Sequence, residues 1–523
     1  MANHTYRRPL LVLALCWLSA CQVSPFDQDA AMNPNQPHSA ATTSPHLDRL
    51  AVVSVGLSLD IFRQGQVWSE LQKQDAAQPD SLHVGSILPT DPKKYPILAS
   101  DKNDAWEKRK TDTFELGVKR FPEAWPIPTM VVVRSYDRHA ANLRFSPEIT
   151  DRMLKGLASR RRPEAGLHWH RIQQLDNLIV TSDTPEDALE TVFQTFEANP
   201  DMPALLVYAV EGYNMSRALM RKDEKPIGVG TGPRQPGELS DAITALIFAR
   251  PERMEWLRYF APYTKVNGVP LYPGFSGWER QPPVAFQPSP HFPQPWTRRG
   301  MEQWDALKVL AWVQRPVVVS LLQPDSHKRL KYNALSAQLA QGWQQATATL
   351  QPQPARLFYD AGQNATPLAE LIPALKAAHS PLDLLESKES YDLTQRLGDT
   401  GAASPFIGIA IASMATYLNG DTSVVMPLRR QDQATYIALT PDKPGEKPSI
   451  DPFGVDIAPA FSSSNEPSQP MRQLYEAEYQ AGLHREAVPQ PSPLGTQPVH
   501  GEDFAIEEFL SNLKPKADWM EDL

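Results

Sequence analysis

The sequence predicts an α/β protein, with mixed or parallel sheets layered by helices. Two observations carry this reading. Short apolar, β-branched runs recur along the chain, and stretches with helical spacing follow several of them. The first pair is Leu50–Gly56 and the helical pattern through Trp68 and Leu71. Later pairs are Pro316–Leu322 with a helix from Tyr332 to Leu350, and Arg356–Asp360 with a helix from Leu368 to Ala378. Strands that alternate with helices imply parallel pairing with both faces covered.

The remaining elements are read in chain order. Thr129–Val133 is a strand after the proline-marked stretch Trp125-Pro126-Ile127-Pro128. Thr184 to Phe196 is an amphipathic helix, in which Thr184 caps and Pro185 fits the first turn. Ala204–Val210 is a continuous apolar run of the buried-strand kind. A further helix is expected to start near Ser240-Asp241. Six segments follow: an export signal (1–21), a tether (22–46), an N-terminal α/β half (47–270), a Pro- and aromatic-rich loop (271–300), a C-terminal half (301–440) and an extension (441–523).

The chain has 51 prolines and a net charge of −9. Proline breaks helices and central strands, so short elements and long irregular connections are expected. The negative charge excludes a general nucleic-acid binder, which needs a broad basic surface. The two cysteines, Cys16 and Cys21, both lie near the N-terminus. The rest of the chain therefore has no disulfide, cysteine metal site or thiol nucleophile.

Arg7 and Arg8 precede an apolar run from Pro9 to Ala20, too short to span a bilayer permanently, which reads as a secretory signal. It ends Leu18-Ser19-Ala20-Cys21, similar to a bacterial lipobox. Cleavage before Cys21 and acylation of that cysteine predict a membrane-anchored lipoprotein facing the periplasm; the alternative is a cytoplasmic protein. Residues 22–46, poor in groups to bury, then form the tether. The extension ends in an acidic amphipathic stretch, Phe504–Leu513. Whether it wraps the body or stays loose is open at this level.

Candidate sites are few. Gly230, Gly232 and Arg234 form the sharpest glycine-rich turn and a candidate anion-binding turn. It has neither a Walker lysine nor dinucleotide spacing, and turn chemistry alone accounts for its residues. His168 and His170 share one strand face but have no obvious third ligand, so no metal site is assigned. Arg160-Arg161-Arg162 reads as a solvated basic face. Neither a Gly-x-Ser-x-Gly nucleophile elbow nor a His-Glu-x-x-His motif occurs. The loop holding Trp278, Phe292, Trp296 and Arg298 is the candidate partner-binding surface, because Trp and Arg anchor interfaces.

Two family resemblances follow. Gly398-Asp399-Thr400-Gly401-Ala402-Ala403-Ser404, the apolar helix through Tyr417, the Asn419-Gly420 turn and the strand Ser423–Met426 resemble the C-terminal core of thiolase-like ketoacyl synthases. Asp399 stands where that family has a catalytic histidine. The resemblance implies a thiolase-like fold with its catalytic residues lost, since condensation starts from a thiolate.

The second resemblance covers about residues 50 to 440. Gly230-Thr-Gly-Pro-Arg-Gln-Pro-Gly-Glu-Leu239, Ala249-Arg-Pro-Glu-Arg253, Ala261-Pro-Tyr-Thr-Lys265, Pro295-Trp-Thr-Arg298, Gln303-Trp-Asp305 and Arg315-Pro-Val317 are similar to the type VI secretion lipase adapter family. Gly65-Gln-Val-Trp68, Ser86-Ile-Leu-Pro89 and Leu167-His-Trp-His170 fit it too. It implies a non-catalytic protein without a cofactor that binds a phospholipase effector and helps seat it on the secretion spike protein. The rival expectations are a lipase immunity protein in the envelope and an envelope hydrolase.

Overall fold

The computed structural model describes residues 46–90, 99–122, 125–134, 171–181, 185–199, 202–211, 237, 240–250, 298–362 and 367–454. Their centre is a 12-stranded sheet. From the N-terminal part come β1 (Arg49–Leu59), β2 (Phe62–Arg63), β3 (Pro126–Arg134), β4 (Arg171–Thr181), β5 (Ala204–Glu211) and β6 (Ala242–Ala249). From the C-terminal part come β7 (Ala311–Gln314), β8 (Val317–Ser320), β9 (Pro354–Asp360), β10 (Ser390–Asp392), β11 (Thr422–Pro427) and β12 (Gln433–Thr440).

Across the sheet the order is β10-β9-β11-β12-β7-β1-β6-β5-β3-β4, with β2 beside β1 and β8 beside β12. This order hides a repeat. With β2 and β8 set aside, each flank reads third, second, fourth, fifth, first, counting inward to the seam where β7 meets β1. In each, the outer three strands are parallel and the fifth is antiparallel to both neighbours. The seam itself is antiparallel, Leu50 opposite Val313. The expected parallel pairing thus holds only at the flanks, and the middle of the sheet is antiparallel.

Helices cover both faces. On one side lie α1 (Gly65–Ala77), α3 (Ala188–Ala198) and α8 (Ser404–Asn419). On the other lie α2 (Ala99–Val118) and α4 (Arg298–Asp305), then α5 (Tyr332–Thr347) and α6 (Pro367–Ala377). Strand β9 shows the partition: Phe358 joins the α8 side, while Leu357 and Tyr359 join the α5 side. Helix α8 is apolar all round and buried from Ser404 to Thr416. With the turn before it, it is long and apolar enough to cross a membrane, yet 89% of it lies inside the body. It ends at Gly420, whose φ of 71° places it in the left-handed region that closes a helix.

The helix expected near Ser240-Asp241 is instead β6. All eight of its residues are buried and divide with period two: Ile243, Ala245 and Ile247 face α2, while Leu246 and Phe248 face α8. A short, mostly apolar run fits a helix or a strand, and sheet pairing on both edges decides for the strand. The prolines before Thr129 lie within β3. Pro126 and Pro128 pair with β4 only, because β5 joins β3 from Thr129 onward, so their missing N–H groups interrupt no second ladder. The helix expected from Thr184 starts at Ala188, with Asp187 at its N-cap; Thr184 lies outside the described residues.

Part of the extension is ordered against the body. Gly445 N–H donates to Gly420 O at 2.7 Å, and Gly65 N–H to Phe453 O at 3.1 Å. The buried Phe453 ring meets Tyr417 edge-on at 5.9 Å.

Candidate functional site

The C-terminal ends of β5, β9 and β11 converge on one buried polar centre, at the end of the sheet where α/β proteins commonly hold ligands. Asp360 closes β9 and is only 2% exposed. Its Oδ1 accepts from Thr394 Oγ1 at 2.6 Å and from Gly362 N–H at 2.9 Å. Its Oδ2 accepts from Arg429 Nε at 2.7 Å and from the Ser404 hydroxyl. Thr394 comes from α7 (Leu393–Leu397), Ser404 opens α8 and Arg429 follows β11. The other end of the guanidinium donates from Nη2 to Asp399 Oδ1 at 2.6 Å.

Local backbone chemistry places Asp399. Gly398 (φ 79°) and Gly401 (φ 45°) flank it in conformations that favour glycine. A Cβ on Gly401 would lie 2.1 Å from Glu211 Oε2, so the chain turns there against the end of β5. Glu211 Oε2 in turn accepts the Ala402 N–H at 2.9 Å, and Asp399 Oδ1 accepts the Gly401 N–H at 2.9 Å.

Burial pushes the Asp360 carboxyl up. The Arg429 charge and the Arg429, Ser404 and Thr394 donors outweigh it, holding Asp360 below the ordinary carboxylate range. Burial lowers Arg429, but Asp360 and Asp399 overcome that and keep it protonated. Glu186 differs. Burial raises its pKa; Oε1 accepts the Arg430 N–H at 3.1 Å, while buried Oε2 has no hydrogen-bond partner among the described residues.

Chemically this centre is a clasp. Both Asp360 oxygens are occupied by donors, and Asp399 is held by a guanidinium that also grips Asp360. A carboxylate engaged this way is a poor general base. Among the described residues, no group of three or more His, Cys, Asp or Glu is placed to hold a metal.

Of the residues singled out from sequence, Asp399 belongs to this centre. Arg298 opens α4. Cys21, Gly230, Gly232, Arg234, Trp278, Phe292 and Trp296 lie outside the described residues, as do Arg160–Arg162, His168 and His170. Sequence reading missed Asp360, Arg429, Glu211 and Glu186. The only local hint was an acidic residue at the end of each of two apolar strands, Asp360 and Glu211.

The described residues thus form a mixed α/β body with two like flanks and an arginine-closed polar centre. Family models say to which family the chain belongs. The N-terminal model of the type VI lipase adapter protein Tla3 matches residues 48–230, and the C-terminal model matches residues 310–441. Together these cover more than half of the sequence, and the chain belongs to the type VI lipase adapter family.

Solved structures to which it is similar include ketosynthases and OleA. One is the AntDE:AntF complex of a type II polyketide acyl-carrier protein with its ketosynthase (14% identity, 75% of this chain and 99% of that one, TM-score 0.39). Another is the module 1 ketosynthase of the bacillaene synthase from Bacillus amyloliquefaciens (9% identity, 76% of each chain, TM-score 0.41). A third is Xanthomonas campestris OleA (10% identity, 76% of this chain and 99% of that one, TM-score 0.33).

Proposed function

We propose that this protein is a non-catalytic adapter that binds a phospholipase effector and helps load it onto the type VI secretion spike protein. The observation that carries the reading is the match of both lipase adapter models, one to each part of the chain. Two features support the absence of catalysis. The sequence has no cysteine after Cys21 to serve as a thiolate, and Arg429 holds Asp399, the residue that stands in place of a catalytic histidine in the resemblance to ketoacyl synthases. Acylation of Cys21 anchors the body to the membrane through the tether. Trp278, Phe292, Trp296 and Arg298 supply effector contacts, and Gly230, Gly232 and Arg234 form an anion-binding turn.

Co-purification of the full chain with a type VI lipase effector from the same genome tests the adapter role. A stable complex is expected, and replacing Trp278 and Phe292 by alanine should weaken it about tenfold or more. Failure of the intact protein to bind any such lipase sinks the reading; binding that survives both substitutions rules out the loop alone. Metabolic labelling with palmitate tests Cys21.

The lipobox favours one second reading, a periplasmic immunity protein that blocks a lipase. Deletion of the gene separates the two. Self-killing by the effector marks immunity, whereas a lipase that is made but not exported marks delivery.

A further inference from the structure

Strand β1 carries a bulge beside the seam. Val52 pairs with Phe248 and Ser54 with Ile247, which leaves Val53 without an opposite residue. A bulge bends its strand and re-aims the side chains around it. Here it borders a cleft with Ser54, Leu116 and Leu310 among its lining residues. Lys119 and the exposed Arg120, in the turn that ends α2, give it a cationic rim. Phe453 and Gly454 also line it, and Gly454 is the last described residue.

The chain beyond Gly454 has a distinctive charge. Residues 455–523 hold twelve acidic and four basic side chains, a net −8 against −9 for the whole protein. The body is therefore almost neutral, and nearly all the unbalanced negative charge belongs to a segment that leaves from the rim of a basic cleft. Within it, Glu502-Asp503-Phe504-Ala505-Ile506-Glu507-Glu508-Phe509-Leu510 interleaves four carboxylates with large apolar groups. Its carboxylates complement the cationic rim formed by Lys119 and Arg120.

We propose that this cleft is the docking site of the chain's own acidic segment Glu502–Leu510. Carboxylates meet Lys119 and Arg120, and the apolar side chains between them lie across the mouth of the cleft rather than inside it. Forty-eight residues separate Gly454 from Glu502, and at up to about 3.3–3.6 Å per residue their contour length permits a return to the starting point. Tethering raises the local concentration to the order of a millimolar, so a contact too weak to form between separate molecules is still occupied within one. Asp456, a single carboxylate two residues past the rim, lacks the paired charges and aromatic groups of the distal segment.

The test uses the full-length protein. Carbodiimide coupling followed by mass spectrometry should join Lys119 to one of Glu502, Asp503, Glu507 or Glu508 within one chain. Amide exchange across residues 501–513 should be about fivefold faster in the Lys119→Glu/Arg120→Glu double variant. Adding Glu507→Lys and Glu508→Lys to that variant should restore protection, which separates lost docking from damaged folding. The proposal is overturned if Lys119 couples only to Asp456 or to a carboxylate of the body. It is equally overturned if coupling occurs only between differently isotope-labelled chains, which marks a second copy as the occupant, or if the charge swap restores nothing.

Discussion

Asp75 and Arg396 form a buried ion pair with Nη2 to Oδ1 at 2.6 Å, although 321 residues separate them in the chain. Their side chains are 3% and 2% exposed. The other carboxylate oxygen, Oδ2, accepts from the Tyr391 hydroxyl at 2.7 Å, and the Arg396 guanidinium lies 4.5 Å from the Tyr391 ring centre. Helix α1, from the N-terminal part, is thereby fastened to β10 and α7 of the C-terminal part.

Removing one partner strands the other charge away from water. Asp75→Ala should cost about 3–5 kcal/mol in denaturant unfolding. A double variant, Asp75→Leu with Arg396→Met, should lose clearly less, because apolar groups of similar size leave no buried charge behind. Equal losses in the two variants would show that packing around Arg396, rather than its charge, sets the cost.

The contact between α2 and β1 makes a second prediction. A Cβ on Gly56 would lie 2.1 Å from Thr113 O, and one on Gly117 would lie 2.6 Å from Ala245 Cβ. The helix touches the sheet through bare backbone. Gly117→Ala should therefore destabilise the fold by about 1–3 kcal/mol through overpacking. Ala245→Gly in the same chain should recover part of the loss, because it removes the methyl that collides. Thermal unfolding of the two single variants and the double variant measures the coupling.

How far the sequence reveals this structure depends on how local each signal is. Ala204–Val210 is legible because a strand of continuous apolar character needs only its own residues to be recognised. Helix α8 is legible for its small and apolar composition and for Gly420 at its end. The run Ala242–Ala249 follows Ser240-Asp241, a pair that reads as a helix cap, and with Thr244 as its single polar residue its period cannot be read until neighbouring strands are known. Helix α2 spreads Lys, Asp and Glu along Ala99–Val118, and no clean apolar face announces it. Strand direction is not written in a strand at all, hence the antiparallel seam was invisible. In the polar centre, Asp399 drew notice through a family pattern. Arg429 did not, because an ion pair between distant residues leaves no spacing to find.

Asp392 gives the stability a pH dependence. Burial pushes its carboxyl up to about 6, helped by the nearby Asp360 charge, against lowering by the Gln395 N–H that its Oδ1 accepts at 3.0 Å. A carboxylic acid whose pKa is higher in the folded state than the unfolded value of about 3.9 binds its proton more tightly when folded. Its contribution is fully present below pH 4 and is lost as pH rises through 6. Asp392→Asn keeps a cap acceptor but has no charge to bury. The variant should exceed the parent by up to about 2 kcal/mol at pH 8, and the gap should close towards pH 4. Urea unfolding at both pH values measures this, and a gap independent of pH would assign the effect elsewhere. Asp360 works in the opposite sense: held below the ordinary range, it contributes at neutral pH and is lost only as acid protonates it.

Where the described chain begins, Arg315 forms a clamp. Nη2 pairs with Glu190 Oε1, Nε reaches Glu190 Oε2 at 3.1 Å and Nη1 reaches Glu197 Oε1 at 2.6 Å. Nη1 also donates to Leu47 O at 3.2 Å, and the Leu47 N–H donates to Glu197 Oε1 at 2.9 Å. The backbone cannot do this work unaided: the β1–β7 ladder reaches Arg315 N–H to Asp48 O at 2.7 Å, and the next residue on that side, Pro316, has no N–H to give. A side chain therefore takes over from the ladder at the N-terminal edge of the described residues. Arg315→Ala should leave global stability within about 1 kcal/mol, because Glu190 and Glu197 are partly solvated. The Leu47 amide should nevertheless exchange faster, by an amount that shrinks in the parent protein as salt is raised. Unchanged exchange at Leu47 in the variant would mean that burial of the leucine side chain alone holds the start of β1.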